Sequence, residues 1–377
     1  MWYMQLKKLI YILIIFCFSP TFAQAQINNI PFEKPILIDT TASEDFKFNL
    51  RVLGFNKNNE YYNKINEGYT LFGYRLTPSV SWQFQKNFKV EGGIFLQKDF
   101  GNNKFTYALP YFNMLYSWRQ NQLILGNING SIHHRQIEPM EDFERLMNDI
   151  PENGLQFLRR TEKLFLDAWV NWETMIYPGS DFKEKLSGGL VIDRKLMQKP
   201  KQELTFHYEF KGYHTGGQID IVEQPLVIVF NNSAGFSWQH DLVGEKLNNI
   251  KFEGHFLHFT DQSNETRLVF TEGYGYYLNG QLSTHFGDFM LSYWYGDQFY
   301  SYKGGRLYQS ISTNLDSEYS VDVRQLLILR ILNEIKIGPQ TNLVLRFEPF
   351  WDLQNKKFEF SHALYFNVFK TFSIRKQ

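Results

Sequence analysis

Glu203-Leu204-Thr205-Phe206-His207-Tyr208-Glu209-Phe210-Lys211 is the stretch that decides the fold. Leu204, Phe206, Tyr208 and Phe210 share one parity, and Glu203, Thr205, His207, Glu209 and Lys211 share the other. Successive side chains leave opposite faces of a pleat, so period two predicts a strand with one apolar face and one charged face. Residues 342–353 repeat the pattern. Leu343, Leu345, Phe347, Trp351 and Leu353 stand opposite Asn342, Arg346, Glu348 and Asp352. Residues 88–99 set Phe88, Val90, Ile94 and Leu96 against Lys89, Glu91, Gln97 and Asp99. Residues 321–337 are less clean, and a helix is the alternative there. Their β-branched content and the Gly338-Pro339 stop favour a strand.

Turn chemistry punctuates these segments at 85–87, 101–103, 287–288, 338–340 and 355–357. Longer polar connections fall at 56–67, 133–154, 212–222 and 298–317. Segments run from 46–55 to 358–374. Residues 155–160 are weak by pattern, yet parity needs a crossing between 133 and 163 if the short turns are to share one side. About 16 strands result, and 14 also satisfy the parity.

Aromatic residues make up 18% of the chain, with 36 Phe and 22 Tyr, which exceeds ordinary usage. Mean hydropathy is nonetheless −0.37, and no stretch of the predicted barrel reaches the length of a membrane helix. A bilayer admits only helices or a closed barrel. The predicted fold is therefore all-β, a closed antiparallel transmembrane β-barrel. A soluble sandwich also alternates, but three features favour the barrel. The last strand carries Phe358, Phe360, Leu364, Phe366, Val368, Phe372 and Ile374 on one face. This resembles the terminal strand that outer-membrane proteins present to the barrel-assembly machinery. Trp118, Trp172, Tyr177, Trp238, Trp294 and Tyr300 lie near strand ends and suit interfacial girdles. Charge in mid-strand requires a wet or hydrogen-bonded lumen.

Lys7 and Lys8, the apolar run Leu9 to Phe18, and Ala23-Gln24-Ala25 read as a signal peptide cleaved after Ala25. A lipoprotein anchor would use Cys17, but Phe16 precedes it and no polar tether follows. Cys17 is the only cysteine, so cleavage leaves no thiol chemistry. The expected organisation is a signal peptide at 1–25, a periplasmic extension at 26–45, and a barrel at 46–377 with a long loop at 133–154. Net charge is zero, which gives no electrostatic claim on nucleic acid.

Segment 129–154 breaks the strand rhythm. Glu141 to Asn148 is expected to form about two helical turns with Phe143, Leu146 and Met147 on one side. Glu138, Glu141, Asp142, Glu144, Asp149 and Glu152 outnumber Arg135 and Arg145. Here the chain resembles the general porins of outer membranes, whose third extracellular loop joins strands five and six and folds into the lumen. The resemblance implies a constriction in which Glu138, Glu141 and Asp142 face Arg324, Arg330 and Arg346, with Glu348 beside them. It implies a channel for small polar solutes or ions, a trimer, and residence in the outer membrane among lipid and lipopolysaccharide. An outer cap is the alternative for this loop.

His133, His134 and Arg135 are further candidates on the loop. Adjacent histidines at a strand end diverge, so no metal site is expected. No cofactor and no enzymatic activity are expected. A lipid hydrolase is the alternative; it needs a Ser nucleophile and a His base on the outer wall near the leaflet, for which His255 and His258, or His285 and Ser283, are candidates. A structural or adhesion barrel is the third reading.

Overall fold

The structure is a computed structural model that describes residues 29, 31–32, 35–36, 38, 45–242, 244, 246–265, 268–312 and 319–374. The expected signal peptide lies outside the described residues. Sixteen strands follow in order. The first eight are β1 (Asp45–Glu60), β2 (Thr70–Gln85), β3 (Phe88–Asp99), β4 (Tyr107–Trp118), β5 (Asn121–Asn127), β6 (Asn153–Arg160), β7 (Leu164–Thr174) and β8 (Glu184–Lys199). The rest are β9 (Gln202–Gly216), β10 (Val227–Asp241), β11 (Leu247–Asp261), β12 (Glu272–Thr284), β13 (Gly287–Asp297), β14 (Val323–Gly338), β15 (Thr341–Asp352) and β16 (Lys357–Ser373). Each pairs antiparallel with its sequence neighbours, and β1 closes on β16 from Lys47 opposite Ser373 to Glu60 opposite Phe360. Closure leaves no unpaired sheet edge, which is the condition for crossing a bilayer with strands. The weak segment at 155–160 is β6, and 321–337 is strand, not helix.

Period two sets the two faces. On β9 the odd residues Thr205, His207, Glu209 and Lys211 are buried in the lumen. Outside, Phe236, Phe252, Leu291, Phe366 and many similar residues are exposed, forming the apolar surface that lipid covers. Even-to-odd connections are tight turns, as at 86–87, 119–120 and 339–340, whereas odd-to-even connections include 61–69, 128–152 and 298–322. Long loops mark the outer end and short turns the periplasmic end. The turns at 101–103 and 355–357 belong to the outer end, against the simple expectation that every tight turn lies on one side.

Two predicted girdle residues are corrected. Trp294 and Tyr300 are buried, at 0% and 7% exposure. Trp294 points inward with the even residues of β13, and its indole N–H donates to the Tyr308 carbonyl at 3.1 Å. A pattern of aromatics near strand ends does not reveal which face each occupies. Trp172 and Tyr177 are exposed, as a girdle requires.

The lumen is packed. Loop 128–152 runs across it, loop 298–322 folds in beside it, and described residues of the N-terminal segment join them. Phe32 meets Phe143 and Tyr365 edge-on, with centroids 5.2 and 5.0 Å apart. The Ile36 amide donates to Asn129 Oδ1 at 2.7 Å. Thus the described part of 26–45 enters the barrel. The expected two-turn helix at 141–148 is reduced to Arg145–Asn148. The Asp142 amide donates to the Lys303 carbonyl and the Glu138 carbonyl accepts from Gly305, each at 2.8 Å. Loop 298–322 therefore takes the partners that a helical 138-to-142 bond would use.

Candidate active site

The inward loop carries most of the charged residues singled out in the sequence. Glu138 lies between two wall arginines: it pairs with Arg330, and its Oε1 accepts from Arg346 at 2.6 Å. Glu348 pairs with the same two arginines, at 2.8 Å from Arg346. The Tyr308 hydroxyl donates to Glu138 at 3.0 Å, and the Arg346 guanidinium covers the Phe143 ring at 3.9 Å. Arg324 is not part of this group. It pairs with Asp352 at 2.9 Å and donates to the Leu307 carbonyl at 2.6 Å, because its position on β14 lies nearer the outer rim, beside loop 298–322. Glu141 meets Lys211 and Arg145 instead of the arginines of β14 and β15. Asp142 is buried. Burial, and then the neighbouring Glu144, push its carboxyl up to about 7.

His133 and His134 lie on a short 3-10 turn, Ser131–His134, and not on a strand end. His134 is fully buried and stacks on Trp169 at 3.6 Å. Its Nδ1 lies 2.8 Å from Asp167 and its Nε2 lies 3.1 Å from Glu152. Carboxylates only accept, so both nitrogens carry protons. Burial opposes that charge, but Asp167 and Glu152 outweigh it and hold the imidazole up at about 9. His133 turns its Nδ1 to the Gly130 carbonyl at 2.9 Å. Arg135 lies over Phe165 at 4.2 Å. Among the described residues, no group of three His, Cys, Asp or Glu side chains is placed to hold a metal ion.

The histidines considered for hydrolysis separate by face. His255 is buried in the lumen. His285 packs on Phe286 in the β12–β13 turn, at the periplasmic end, with Ser283 one residue inside β12. His258 is on the outer wall near the outer end, 2.9 Å from Glu272. Its ring is held by a carboxylate, and nearby Thr260 accepts from Gln262 at 2.8 Å.

A second outer-wall cluster contains an exposed hydroxyl, and sequence reasoning missed it. At the barrel seam, Asn58 of β1 stands opposite Thr70 of β2 and His362 of β16. Even residues face outward here, so the three side chains form a row across the wall, with neighbouring pairs roughly 5 Å apart at Cβ. Thr70 Oγ1 donates to Asn58 Oδ1 at 2.7 Å. Asn58 Nδ2 donates to Glu60 Oε1, and the Tyr62 hydroxyl donates to Glu60 Oε2, each at 2.5 Å. His362 is within electrostatic reach of Glu60. Thr70 and His362 are exposed. Phe72, Phe358 and Leu364 surround the row with exposed apolar surface.

The backbone fixes this row. The β1–β2 loop is held to β16 by Glu359, which accepts from the Tyr62 amide at 3.0 Å and from Asn63 Nδ2 at 2.6 Å. A Cβ at Gly68 would meet the Asn59 carbonyl at 2.6 Å, so only glycine lets the chain fold back there and start β2 at Thr70. On the inner face of β1, Lys57 and Asn59 bind Glu144 of the lumen loop at 2.6 and 2.8 Å.

The chain matches the model of the family described as lipid A 3'-O-deacylase-type over residues 38–377. That family is named for an enzyme, so the expectation of a barrel without enzymatic activity is overturned. Composition and strand periodicity report the scaffold and do not register a few polar groups on a lipid-facing wall. No curated protein matches the chain. Solved structures share the fold. OprD from Pseudomonas aeruginosa is 12% identical, with a TM-score of 0.50, covering 90% of this chain and 98% of that one. OccK2 (OpdF) from the same organism, in complex with glucuronate, is 10% identical, with a TM-score of 0.51 and coverages of 89% and 100%. A loop L8 deletion mutant of OmpT, an outer-membrane protein of Vibrio cholerae, is 9% identical, with a TM-score of 0.50 and coverages of 87% and 99%. The fold is that of an outer-membrane barrel.

Proposed function

The chain belongs to the lipid A 3'-O-deacylase-type family, and we propose that it is an outer-membrane esterase that removes an O-linked acyl chain from a lipid of the outer leaflet. The observation that carries this is the row Thr70, Asn58, His362 with Glu60, exposed on the lipid-facing wall at the outer end. A lipid headgroup reaches that level without leaving the bilayer, and the apolar rim accepts its acyl chains. Polar side chains on a barrel's lipid face cost only about 0–1 kcal/mol near the interface, so the cluster is tolerated there.

Thr70 Oγ1 is the nucleophile and Asn58 sets its direction. His362 takes the hydroxyl proton as general base and returns it to the leaving alcohol as the ester C–O bond breaks; water deprotonated by His362 then attacks the acyl-threonine, releasing the fatty acid and the free hydroxyl. Thr70 and His362 flank Asn58, one strand to either side. Glu60 orients Asn58.

Mass spectrometry of an acylated glycolipid incubated with the purified, detergent-solubilised protein tests this. Loss of one acyl chain is expected. Thr70→Ala should abolish it, and His362→Gln should slow it by about 10²–10⁴-fold. Release undiminished in both variants refutes the assignment.

A second reading, conduction of small polar solutes, is favoured by the charged faces of β9, β14 and β15 that line the lumen. Steady conductance steps from wild-type protein in a planar bilayer would support it.

A further inference from the structure

The lumen wall holds another hydroxyl, imidazole and carboxylate in series, apart from the outer-wall row. Asp193 of β8, His207 of β9 and Ser237 of β10 all face inward. His207 Nδ1 lies 2.7 Å from Asp193 Oδ1, and His207 Nε2 lies 2.8 Å from Ser237 Oγ. A carboxylate only accepts, so Nδ1 carries a proton, and in the neutral imidazole Nε2 is then the acceptor for the serine hydroxyl. This is the polarity in which an imidazole activates a serine. A mere lumen filler needs no particular order of partners.

Two further observations point to a ligand. One rung further toward the periplasmic end, about 7 Å along the strands, lies a cavity of about 140 Å³ lined by Lys195, Lys199 and Lys201 together with Glu203 and Asp241. Lys195 pairs with Glu203 at 2.7 Å, and the lysines still outnumber the carboxylates, which suits an anion. The wall is also pared back around a second imidazole. His255 lies 5.5 Å from His207, and a Cβ at Gly235 would meet His255 Nδ1 at 2.6 Å. His255 is itself held by Ser233 at 3.0 Å and Glu253 at 3.1 Å.

We propose that Ser237 is a second nucleophile, with His207 as its base and Asp193 as the orienting carboxylate, and that it hydrolyses small anionic acyl esters entering from the periplasmic mouth. Ser237 Oγ bonds to the acyl carbon as its proton passes to His207 Nε2. The ester C–O bond breaks, and the alcohol leaves with that proton. Water, deprotonated by His207, then attacks the acyl-serine and releases the carboxylic acid and the free hydroxyl. This site does not depend on the outer-wall assignment.

The test uses full-length, detergent-purified protein carrying Thr70→Ala, which silences the outer wall. A fluorophosphonate probe is added and the adduct is located by peptide mass spectrometry. The adduct is expected at Ser237. In His207→Gln, with folding checked by heat-modifiable gel mobility, labelling should fall by about 10²-fold or more. Should that variant not fold, Asp193→Asn serves, since it disturbs the tautomer and should also slow labelling. No adduct at Ser237 in the folded protein overturns the proposal, as does labelling that is indifferent to both variants.

Discussion

At the scale of single residues, buried charges decide how the lumen loop is held. Glu138 answers two arginines that are themselves buried. Removing one partner from such a group leaves uncompensated charge, at a cost of about 3–5 kcal/mol. Glu138→Gln should therefore loosen the loop and not the barrel. Hydrogen exchange at amides 137–147 should accelerate, while strand amides stay protected. His134 gives a pH signature. Its folded pKa, about 9, lies above the ordinary value of about 6.5. Its contribution is complete below about 6.5 and is lost as pH rises through about 9. The unfolding temperature should fall between pH 7 and pH 10, and His134→Gln should flatten that slope. Residues of this kind were partly legible in the sequence. Acidic side chains on a loop that breaks strand rhythm signal an inward partner, and Glu138 found Arg330 and Arg346. His362 left a fainter signal. It interrupts the outward apolar series Phe358, Phe360, Leu364, Phe366 with an imidazole, and a polar residue in a lipid-facing row asks for a reason. Asn58 and Thr70 left none, since their meeting depends on register between strands.

At the scale of elements, alternation and turn chemistry were enough to recover the strands. Even β6 followed from parity, although its own pattern is weak. Loop 298–322 was visible only as a polar connection. That it folds inward depends on Trp294, Glu138 and Arg324 meeting it, and those contacts are long-range. The helix expected at 141–148 is cut to Arg145–Asn148, because the amides of Arg145, Leu146 and Met147 reach back only three residues, to Asp142, Phe143 and Glu144. The two loops and the N-terminal segment fill the lumen as one packed body, so deleting 138–150 should remove its centre. Barrel stability resides in the closed hydrogen-bond ladder and the lipid-facing surface. The deletion variant should thus still show heat-modifiable mobility and should give conductance steps in a planar bilayer larger than those of the wild type. Unchanged conductance would mean that the loop does not govern passage.

At the scale of the whole molecule, β1 has work on both faces. Lys57 and Asn59 hold the loop inside, while Asn58 and Glu60 form the row outside. The barrel presents a filled lumen and an outer wall with a polar cluster at headgroup level. Chemistry on the outer wall needs the barrel closed and the β1–β16 seam in register; it needs no passage through the lumen. The most direct measurement is the rate of fatty-acid release from an outer-leaflet glycolipid, compared in one assay between wild type, the 138–150 deletion and Thr70→Ala. The account predicts that the deletion retains release and that Thr70→Ala abolishes it. Release lost on deleting the loop but kept in Thr70→Ala would contradict it and place the reaction in the lumen.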